Sequence, residues 1–214
     1  MSARRVVIAG LGDSGLLTAI RLARQDFDVI GISAKPGLVS GQELGVRLAR
    51  PADWARDYWI SFDRFRGLDR VRRVQAELTG LDVEARTVHG RGADGGAVTE
   101  PYDALVIATG VSNGFWRRPN LQSPNEIGAD LYADHDRLAD AASIAVVGGG
   151  AAAVSSAVNL AAVWPDKRID LYFPGERALT GHHPRVWATV HRRLLDAGVG
   201  LHGGHRAELP DGFT

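Results

Sequence analysis

The chain of 214 residues contains no cysteine. Without a thiol it can form no disulfide, present no thiolate nucleophile and carry no C-x-x-C pair that passes electrons. Any redox chemistry must therefore come from a bound cofactor and not from the polypeptide itself.

The chain also lacks an excess of charge of either sign and a long apolar run at its N-terminus. Its 25 Lys and Arg residues equal its 25 Asp and Glu residues, so no overall field favours nucleic acid or an anionic membrane. The apolar run after MSARR has only the length of a strand, which is too short for a signal peptide. We therefore expect a soluble, cytoplasmic protein.

One stretch, residues 141–164, is poor in charge and about long enough to span a bilayer. Much of it is alanine and glycine, which carry little apolar area. Ser155, Ser156 and Asn159 would also lie in lipid. The composition therefore disfavours a transmembrane helix here.

A buried strand, a glycine turn and a helix are predicted in RVVIAGLGDSGLLTAIRL, residues 5–22. The apolar run Val6–Ala9 is typical of a parallel strand that is covered on both faces. Gly10, Gly12 and Gly15 follow at G-x-G-x-x-G spacing. The first glycine permits a tight turn, the second lets the main chain approach a diphosphate, and the third lets the helix pack closely. The start of the helix offers free N–H groups to the phosphates.

The same pattern recurs in SIAVVGGGAAAVSSAVNLAA, residues 143–162. Gly148, Gly150 and Ala153 occupy the three glycine positions between an apolar strand and a helix. Two such turns predict two nucleotide sites, or at least two copies of the half-fold that makes one.

Strand-like segments lie between the two glycine turns. Phe27–Ser33 predicts the second strand of the first unit, and Tyr102–Gly110 (YDALVIATG) predicts a further parallel strand that ends in Thr109 and Gly110. Three shorter segments predict a small antiparallel meander: Val71–Leu81, Thr87–Gly90 and Ala97–Glu100. The parallel strands should bring their ends to the sheet edge that holds the first glycine turn.

The end of the second strand is where an acidic residue usually binds the ribose hydroxyls of a nucleotide. In this sequence the position falls on Ser33, which can form only a weaker hydrogen bond without charge. Lys35 follows in a loop closed by Pro36 and Gly37. It could approach a phosphate or a flavin ring, or be an exposed loop lysine, and the sequence leaves both interpretations open.

Residues 42–73 interleave aromatic side chains with arginines. Such a pattern can form a stacking surface for single-stranded nucleic acid. Acidic residues are mixed through the same segment, so its excess of positive charge is small. We therefore predict a helix that packs by its aromatic face, and no nucleic-acid partner.

The order of these elements resembles a known family. The chain has, in order, a strand, GLGDSG, a helix, a meander, YDALVIATG and VVGGGAAAV. Over nearly the whole chain, this order is similar to that of the flavoproteins with two dinucleotide-binding domains of the pyridine nucleotide-disulfide oxidoreductase superfamily. DYWISFDRF and RTVHGRGADGGAVTEPYDALVIATG look most like the apoptosis-inducing-factor-like and ferroptosis-suppressor-like NAD(P)H oxidoreductases. The missing cysteines exclude the disulfide reductases of the same superfamily.

The resemblance implies an α/β fold with two Rossmann-like parallel-sheet units and a small antiparallel meander. Residues 1–116 would form the N-terminal part of an FAD-binding domain, and residues 117–214 an incomplete NAD(P)-binding domain. The candidate FAD contacts are Gly10, Gly12, Asp13, Ser14, Gly15, Ser33, Lys35, the backbone near Leu78, Thr109 and Gly110. The candidate contacts of NADH or NADPH are Gly148, Gly150 and Ala153.

The activity that the resemblance implies is the transfer of hydride from the nicotinamide through the flavin to a quinone or another small acceptor. No residue is assigned as a general acid or base, and the choice between NADH and NADPH stays open. A nucleotide-binding remnant without catalysis and a flavin-free nicotinamide dehydrogenase are the alternatives. A homo-oligomer is compatible with each of them.

Three positions depart from the pattern of the family. Ser155 stands where relatives usually carry a glutamate, so a carboxylate near the nicotinamide is absent. The ribose position of the second unit falls on Phe173, with Pro174 next, so neither an acid that favours NAD nor an arginine that favours NADP stands there. Asp13 suits the helix dipole but brings a negative charge close to a diphosphate.

GERALTGHHPRVW, residues 175–187, could lie over the nicotinamide as a loop.

Relatives continue with the last strands of both domains, a Gly-Asp motif that holds the flavin, and a C-terminal interface domain. This sequence stops at Thr214, soon after a strand predicted at Val199–His205. We therefore expect a fragment or a truncated reading frame, in which missing strands leave open sheet edges.

Histidine and serine residues add no catalytic signal. His182 and His183 are adjacent, and His202 and His205 lie three apart with no carboxylate beside them. Neighbouring side chains on a strand point to opposite faces, and no zinc spacing is met, so we predict no metal site. Ser14 belongs to a nucleotide turn and not to the G-x-S-x-G elbow of hydrolases.

Overall fold

The computed structural model describes residues 3–39, 44–110 and 120–208. The chain forms two compact units, which are Met1–Ser40 with Tyr58–Gly128, and Gly41–Asp57 with Ala129–Thr214. The domain boundary predicted between residues 116 and 117 lies outside the described residues. Gly41–Asp57 groups with the second unit, which a division by sequence order does not anticipate.

The first unit contains a six-stranded sheet. Its strands in chain order are β1 (Arg5–Ala9), β2 (Asp28–Ser33), β3 (Gly37–Val39), β4 (Trp59–Ser61), β5 (Val71–Asp82), β6 (Thr87–Gly92), β7 (Ala97–Pro101) and β8 (Ala104–Ile107). The large sheet has the order β7-β6-β5-β2-β1-β8, and β3 pairs with β4 in a small separate sheet. β1 pairs in parallel with β2 and β8, and β2 with β5, whereas β5, β6 and β7 form an antiparallel meander. The predicted α/β fold with a meander is confirmed.

Helix α1 (Asp13–Ala23) belongs to the core on one face of this sheet, and the meander belongs to the core on the other. Alternation along β1 and β2 divides their side chains between two cores. The core with α1 includes Val6, Ile8, Leu16, Ala19 and Val29. The core with the meander includes Val7, Ile30, Ile32, Ala76 and Val88. Burial on both faces explains why these strands read as continuous apolar runs.

The second unit contains a three-stranded parallel sheet with the order β11-β10-β9. Its strands are β9 (Ser143–Val147), β10 (Arg168–Phe173) and β11 (Gly200–Gly203). The helices are α2 (Leu44–Ala49), α3 (Pro51–Asp57), α4 (Pro124–Asp140), α5 (Ala151–Val163) and α6 (Pro184–Asp196). The first residues of α4, up to Gly128, belong to the first unit. Ile144, Ile169 and Leu171 from the sheet pack with Ala157 of α5 and Leu194 of α6 in one core.

The single helix predicted for residues 42–73 is wrong. After α2 and α3 the chain forms β4 and two 3₁₀ turns, Phe62–Arg64 and Arg66–Leu68. Pro51 separates α2 from α3, because a proline lacks the amide donor and disfavours helical geometry in the residue before it. The aromatic packing holds in part, since Trp54 and Phe62 are buried and the guanidinium of Arg47 lies 4.8 Å from the Trp54 ring.

Residues 141–164 contain β9, the second glycine turn and α5, and not one long helix. Helix α5 has 13 residues, and the hydroxyl of Ser156 donates within it to the carbonyl of Ala152 at 2.8 Å. Within the described part of the chain, no helix has both the length and the apolar character needed to cross a membrane.

Candidate nucleotide-binding sites

The first glycine turn connects β1 to α1 with almost no space between backbone segments. Gly10 has a φ of +102°, in the left-handed region that favours glycine, and its amide donates to the carbonyl of Ile32 at 2.9 Å. A Cβ on Gly10 would overlap the carbonyl oxygen of Ala108, and a Cβ on Gly15 would overlap the carbonyl oxygen of Gly10. The first and third glycines are therefore required by the turn and by the close approach of α1.

Gly12, the second glycine, faces open space at the start of α1. Its backbone is extended, and no side chain of the described residues caps the helix there. A Cβ on Gly12 would meet no described atom within 4 Å. The amides of the first helical turn are thus left for an anion such as a diphosphate. Asp13 and Ser14 lie in this turn with exposed side chains.

The other candidates of the first unit lie at or near the edge that holds Gly10. Ser33 ends β2 at this edge, and Thr109 and Gly110 follow β8 there. A Cβ on Gly10 would stand 2.9 Å from the amide nitrogen of Thr109. Leu78 lies farther along β5, next to an irregularity where β5 pairs with the meander strand β6. Ligands of open α/β sheets bind outside the carboxyl ends of the strands, so this edge is placed for a dinucleotide.

Ser33 and Lys35 are joined to each other and to residues 120–122. The amide of Lys35 donates to Oγ of Ser33 at 3.1 Å. Nζ of Lys35 donates to the carbonyl of Asn120 at 2.7 Å and to the side-chain oxygen of Gln122. The Lys35 ammonium thus holds residues 120–122, and an approach to a phosphate or a flavin would compete with these bonds.

The second glycine turn repeats this geometry between β9 and α5. Gly148 has a φ of +138°, and its amide donates to the carbonyl of Tyr172 at 2.8 Å. Gly150 begins α5 with an extended backbone and with no side-chain cap from the described residues, and a Cβ there would meet none of their atoms within 4 Å. A Cβ on Gly148 would stand 3.3 Å from the Cβ of Ala153. This turn is therefore wide enough for alanine in the third position.

A cavity of about 310 Å³ lies beside the second turn. It is lined by Gly149, Gly150, Pro174, Gly175, Arg177, Leu179, Thr180, Gly181 and His182. Most of these residues belong to the loop that follows β10. The first part of the loop predicted at residues 175–187 therefore forms a wall of this cavity, whereas its last part begins α6 at Pro184.

Backbone hydrogen bonds fasten this loop to the turn and to β11. The amide of Leu179 donates to the carbonyl of Gly149 at 2.6 Å, and the carbonyl of Gly175 accepts from the amide of Gly204 at 3.0 Å. Leu179 has a φ of +55°, which strains a bulky residue. These contacts hold the loop against the second glycine turn and against β11.

Arg177 is a cavity residue that sequence reasoning missed. The ribose position of this unit falls on Phe173, whose ring is buried and packs edge-on against Trp187 at a centroid distance of 5.6 Å. Arg177 comes later in the loop, and its Nη1 is buried with no hydrogen-bond partner among the described residues. A search of the whole loop for arginine, and not of one position, would have found it.

The expectation that His202 has no carboxylate beside it is wrong, because the partner comes from the neighbouring strand. Nε2 of His202 lies 2.8 Å from Oδ1 of Asp170 on β10, and Nε of Arg168 lies 3.0 Å from Oδ2 of the same carboxylate. The ring of Tyr172 stacks on His202 at a centroid distance of 4.4 Å. Among residues 3–39, 44–110 and 120–208, no group of three or more His, Asp or Glu side chains is arranged to hold a metal ion.

Ser155, at the position of the family's glutamate, packs against α2. Its carbonyl accepts from Nδ2 of Asn159 at 2.8 Å, and Oδ1 of Asn159 accepts from Nη2 of Arg50 at 2.6 Å. A Cβ on Gly45 would stand 2.6 Å from the same carbonyl. This part of α5 is therefore occupied by contacts within the second unit.

The family model of the pyridine nucleotide-disulphide oxidoreductases matches residues 4–209. Ferroptosis suppressor protein 1 of Homo sapiens is 27% identical over 207 residues, which cover 93% of this chain and 52% of that protein. The Xenopus tropicalis protein of the same name is 26% identical over 200 residues, covering 92% and 51%. The chain thus spans about half the length of the curated relatives that it matches.

Solved structures show the same fold at low identity. NDH2 from Plasmodium falciparum in complex with NADH has a TM-score of 0.73 at 16% identity, covering 94% of this chain and 48% of that one. The water-forming NADH oxidase from Lactobacillus brevis bound to NADH has a TM-score of 0.69 at 17% identity, covering 96% and 48%. An engineered water-forming NADPH oxidase made from that enzyme, bound to NADPH, also has a TM-score of 0.69 at 17% identity, covering 95% and 47%.

Proposed function

Because the chain belongs to the pyridine nucleotide-disulphide oxidoreductase family, we propose that it is an FAD-dependent NAD(P)H oxidoreductase. The observation that carries this proposal is the repeated glycine turn. In each unit a helix begins at a glycine, Gly12 or Gly150, that faces open space next to the ends of parallel strands. Two places of this kind suit two dinucleotides.

The residues of the first unit fit FAD. A diphosphate would lie in the open space beside Gly12, and the amides of Gly12, Asp13 and Ser14 would donate to it. The hydroxyl of Ser33 accepts from Lys35 and can donate its own proton to a ribose oxygen. Bound FAD would supply the hydride chemistry, which no side chain of the protein can carry out by itself.

The residues of the second unit fit NADH or NADPH. Gly150 and the start of α5 would offer main-chain amides to the diphosphate, and the loop after β10 lines the cavity of about 310 Å³ beside them. Structures of related fold contain NADH in two cases and NADPH in a third. These structures support a nicotinamide nucleotide at the second turn.

The proposed acceptor of the electrons is a quinone or another small molecule. The sequence contains no cysteine, so a disulfide of the protein cannot serve as a relay. In this proposal residues 1–116 form the N-terminal part of an FAD-binding domain, and residues 117–214 form part of an NAD(P)-binding domain. Candidate contacts Thr109 and Gly110 would border the FAD, and Ala153 would border the nicotinamide nucleotide.

Reconstitution with FAD tests this proposal. The purified chain is incubated with FAD and dialysed, its visible absorption is recorded, and the oxidation of NADH and NADPH is followed with an added quinone. We expect retained flavin and an oxidation rate that depends on it.

Three other outcomes contradict the proposal. A chain that stays colourless and binds no nicotinamide nucleotide is not an oxidoreductase of this kind. Nicotinamide binding and activity without flavin would indicate a flavin-free dehydrogenase. Binding of both nucleotides without oxidation would indicate a nucleotide-binding protein without catalysis.

A further inference from the structure

Residues 120–122 form a short segment, which we call the strap, at the edge of the first unit's sheet where β2 ends. The amide of Gln122 donates to the carbonyl of Ala34, one residue after β2, at 3.1 Å. Nε2 of Gln75 donates to the carbonyl of Gln122 at 3.2 Å, and Gln75 is paired with Ser33 in the register of β5 and β2. The strap is therefore bonded to both neighbouring chain segments directly beside Ser33.

Lys35 adds charge-assisted hydrogen bonds to the strap. Its Nζ donates to the carbonyl of Asn120 at 2.7 Å and to the side-chain oxygen of Gln122. Gln122 is buried, with 8% of its surface exposed, and hydrogen bonds from a charged donor are stronger than neutral ones. The amide of the same lysine donates to Oγ of Ser33 at 3.1 Å. Lys35 thus binds the strap by its side chain and the Ser33 hydroxyl by its backbone.

The strap lies next to the place that an adenine ribose would take in the proposed FAD site. The end of the second strand of a dinucleotide-binding unit faces this ribose, and that position falls on Ser33. Ala34 and Lys35, the two residues that follow, both bind the strap. The strap is therefore placed to pack against the adenosine part of the nucleotide.

A direct bond from Lys35 to a phosphate would have to replace these contacts. If Nζ moved to a phosphate, the carbonyl of Asn120 and the buried side chain of Gln122 would lose a charged donor. A buried polar group that loses its partner carries the cost of its lost hydration. The bonds therefore favour a role in which Lys35 stays on the strap while the nucleotide is bound.

We propose that Lys35 is a positioning residue for FAD, which holds the strap so that the strap packs against the adenosine of the bound nucleotide. The inference rests on the proposed FAD site, and it specifies how this chain retains the adenosine half without an acidic residue at Ser33. Because the strap is held by hydrogen bonds within the protein, less conformational freedom is lost when the nucleotide binds.

Fluorescence titration of the full chain with FAD and with FMN tests the inference without any catalytic readout. FMN lacks the adenosine half of FAD, so we expect the native chain to bind FAD more tightly than FMN. Lys35→Met should reduce this preference about tenfold, the effect of losing a hydrogen bond from a charged group, and should leave the affinity for FMN unchanged. Lys35→Arg, which keeps the charge and the donors, should retain most of the preference.

Lys167→Met is the matched control, because it makes the same substitution at the other lysine of the chain, in the second unit. Nζ of Lys167 also donates to backbone carbonyls, among them that of Leu138 at 2.7 Å. Its loss should lower stability but leave the preference for FAD unchanged. A loss of preference in both variants would show a general effect of destabilisation and would overturn the inference.

A double-mutant cycle separates an action through the strap from a direct contact of Lys35 with FAD. Gln122→Met removes the side-chain acceptor of Lys35 and should also weaken FAD binding. If Lys35 acts through the strap, the combination of Lys35→Met and Gln122→Met should weaken FAD binding by clearly less than the product of the two single effects. A combined effect equal to that product would overturn the inference.

The remaining outcomes separate this inference from the proposed function. Tighter FAD binding by Lys35→Met would show that the strap obstructs the nucleotide, and an unchanged preference would show that Lys35 does not position it, so either result overturns the inference. Equal affinities of the native chain for FAD and FMN would overturn it as well and leave a flavin site in place. If the native chain binds neither flavin, the inference fails together with the proposed FAD site.

Discussion

Gly15 lies against Gly10 so closely that a Cβ on Gly15 would overlap the carbonyl oxygen of Gly10. Gly12, between them in sequence, shows the opposite situation, because a Cβ there would meet no described atom within 4 Å. One glycine of this turn is thus required by the fold, and the other leaves room for a ligand. The two requirements can be separated by mutation.

Gly12→Ala should weaken FAD binding while the protein stays folded. The added methyl group would occupy the space of the diphosphate, and we expect the dissociation constant for FAD to rise by about tenfold or more. The loss of stability should be about 1 kcal/mol or less, the usual difference between glycine and alanine at the start of a helix. Quenching of FAD fluorescence and thermal unfolding measure the two effects.

Gly15→Ala is the matched variant, and we expect its main effect on stability and not on FAD binding. Its methyl group would push α1 away from β1, and we expect a loss of about 1–3 kcal/mol or more in the free energy of unfolding. If Gly12→Ala binds FAD as tightly as the native chain, the first turn does not hold the diphosphate.

Gly150→Ala should weaken NADPH binding and leave FAD binding unchanged. The backbone at Gly150 is extended, so alanine fits the fold, but its methyl group would enter the diphosphate space at the start of α5. We expect about a tenfold or larger rise in the dissociation constant for NADPH. Gly128→Ala, inside α4 with open space at its Cβ, is the control and should raise stability by about 0.5–1 kcal/mol without an effect on binding.

Lys167 stabilises the end of α4, and Lys167→Met should remove this stabilisation. Nζ of Lys167 donates to the carbonyls of Leu138, Ala139 and Ala141 at 2.7, 2.6 and 2.6 Å. Carbonyls at the end of a helix have no partners within the helix, so a cation there is favourable. We expect a loss of about 1–3 kcal/mol in chemical denaturation.

Arg168→Gln provides the neighbouring control for Lys167. Its pair with Asp170 involves a largely exposed arginine side chain, so its loss should change stability by about 1 kcal/mol or less. Equal effects of the two variants would show that Lys167 does not act through the carbonyls of α4.

Hydrogen bonds between Ser123 and Glu126 cap the start of α4, and they make part of the free energy of unfolding depend on pH. The carboxylate of Glu126 accepts from the amide of Ser123 at 2.7 Å and from its hydroxyl at 2.8 Å. These bonds, with a smaller contribution from Lys35, hold the pKa of Glu126 below its ordinary value. The stabilisation is therefore present above the pKa of the unfolded chain, roughly 4.3, and is lost as the pH falls through the lower folded value.

Glu126→Ala should accordingly lower the unfolding temperature at pH 7, and the difference from the native chain should shrink as the pH falls below about 4. Thermal unfolding at a series of pH values measures this. Glu84→Ala, at an exposed position between β5 and β6, is the control and should give no such pattern. A difference that stays constant across the series would show that the carboxylate form of Glu126 does not stabilise the cap.

The sequence predicts the strands and glycine turns well, because both are encoded locally. The buried runs at β1, β2 and β9 and the positive φ at Gly10 and Gly148 follow from residues within a short window. The meander was equally predictable, since glycine and aspartate mark its turns. What these local patterns cannot show is whether the turns bind nucleotides, and that part stays a prediction.

Features that depend on distant residues were not predictable in the same way. The carboxylate of Asp170 contacts His202 because β10 and β11 are neighbouring strands. The sequence around either residue does not indicate this pair. Arg177 belongs to the cavity because Leu179 is bound to Gly149 across the turn. The break at Pro51 is predictable from proline chemistry, whereas the interleaved aromatic side chains of residues 42–73 wrongly favour a single helix.

Anaerobic reduction of the FAD-loaded chain by NADPH tests the account most directly. The chain is reconstituted with FAD, freed of excess flavin and mixed with NADPH in the absence of oxygen, while the visible absorption of the flavin is followed. We expect the flavin to be bleached as a stoichiometric amount of NADPH is oxidised, and we expect Gly150→Ala to slow this bleaching. A flavin that stays oxidised although both nucleotides are bound would contradict it.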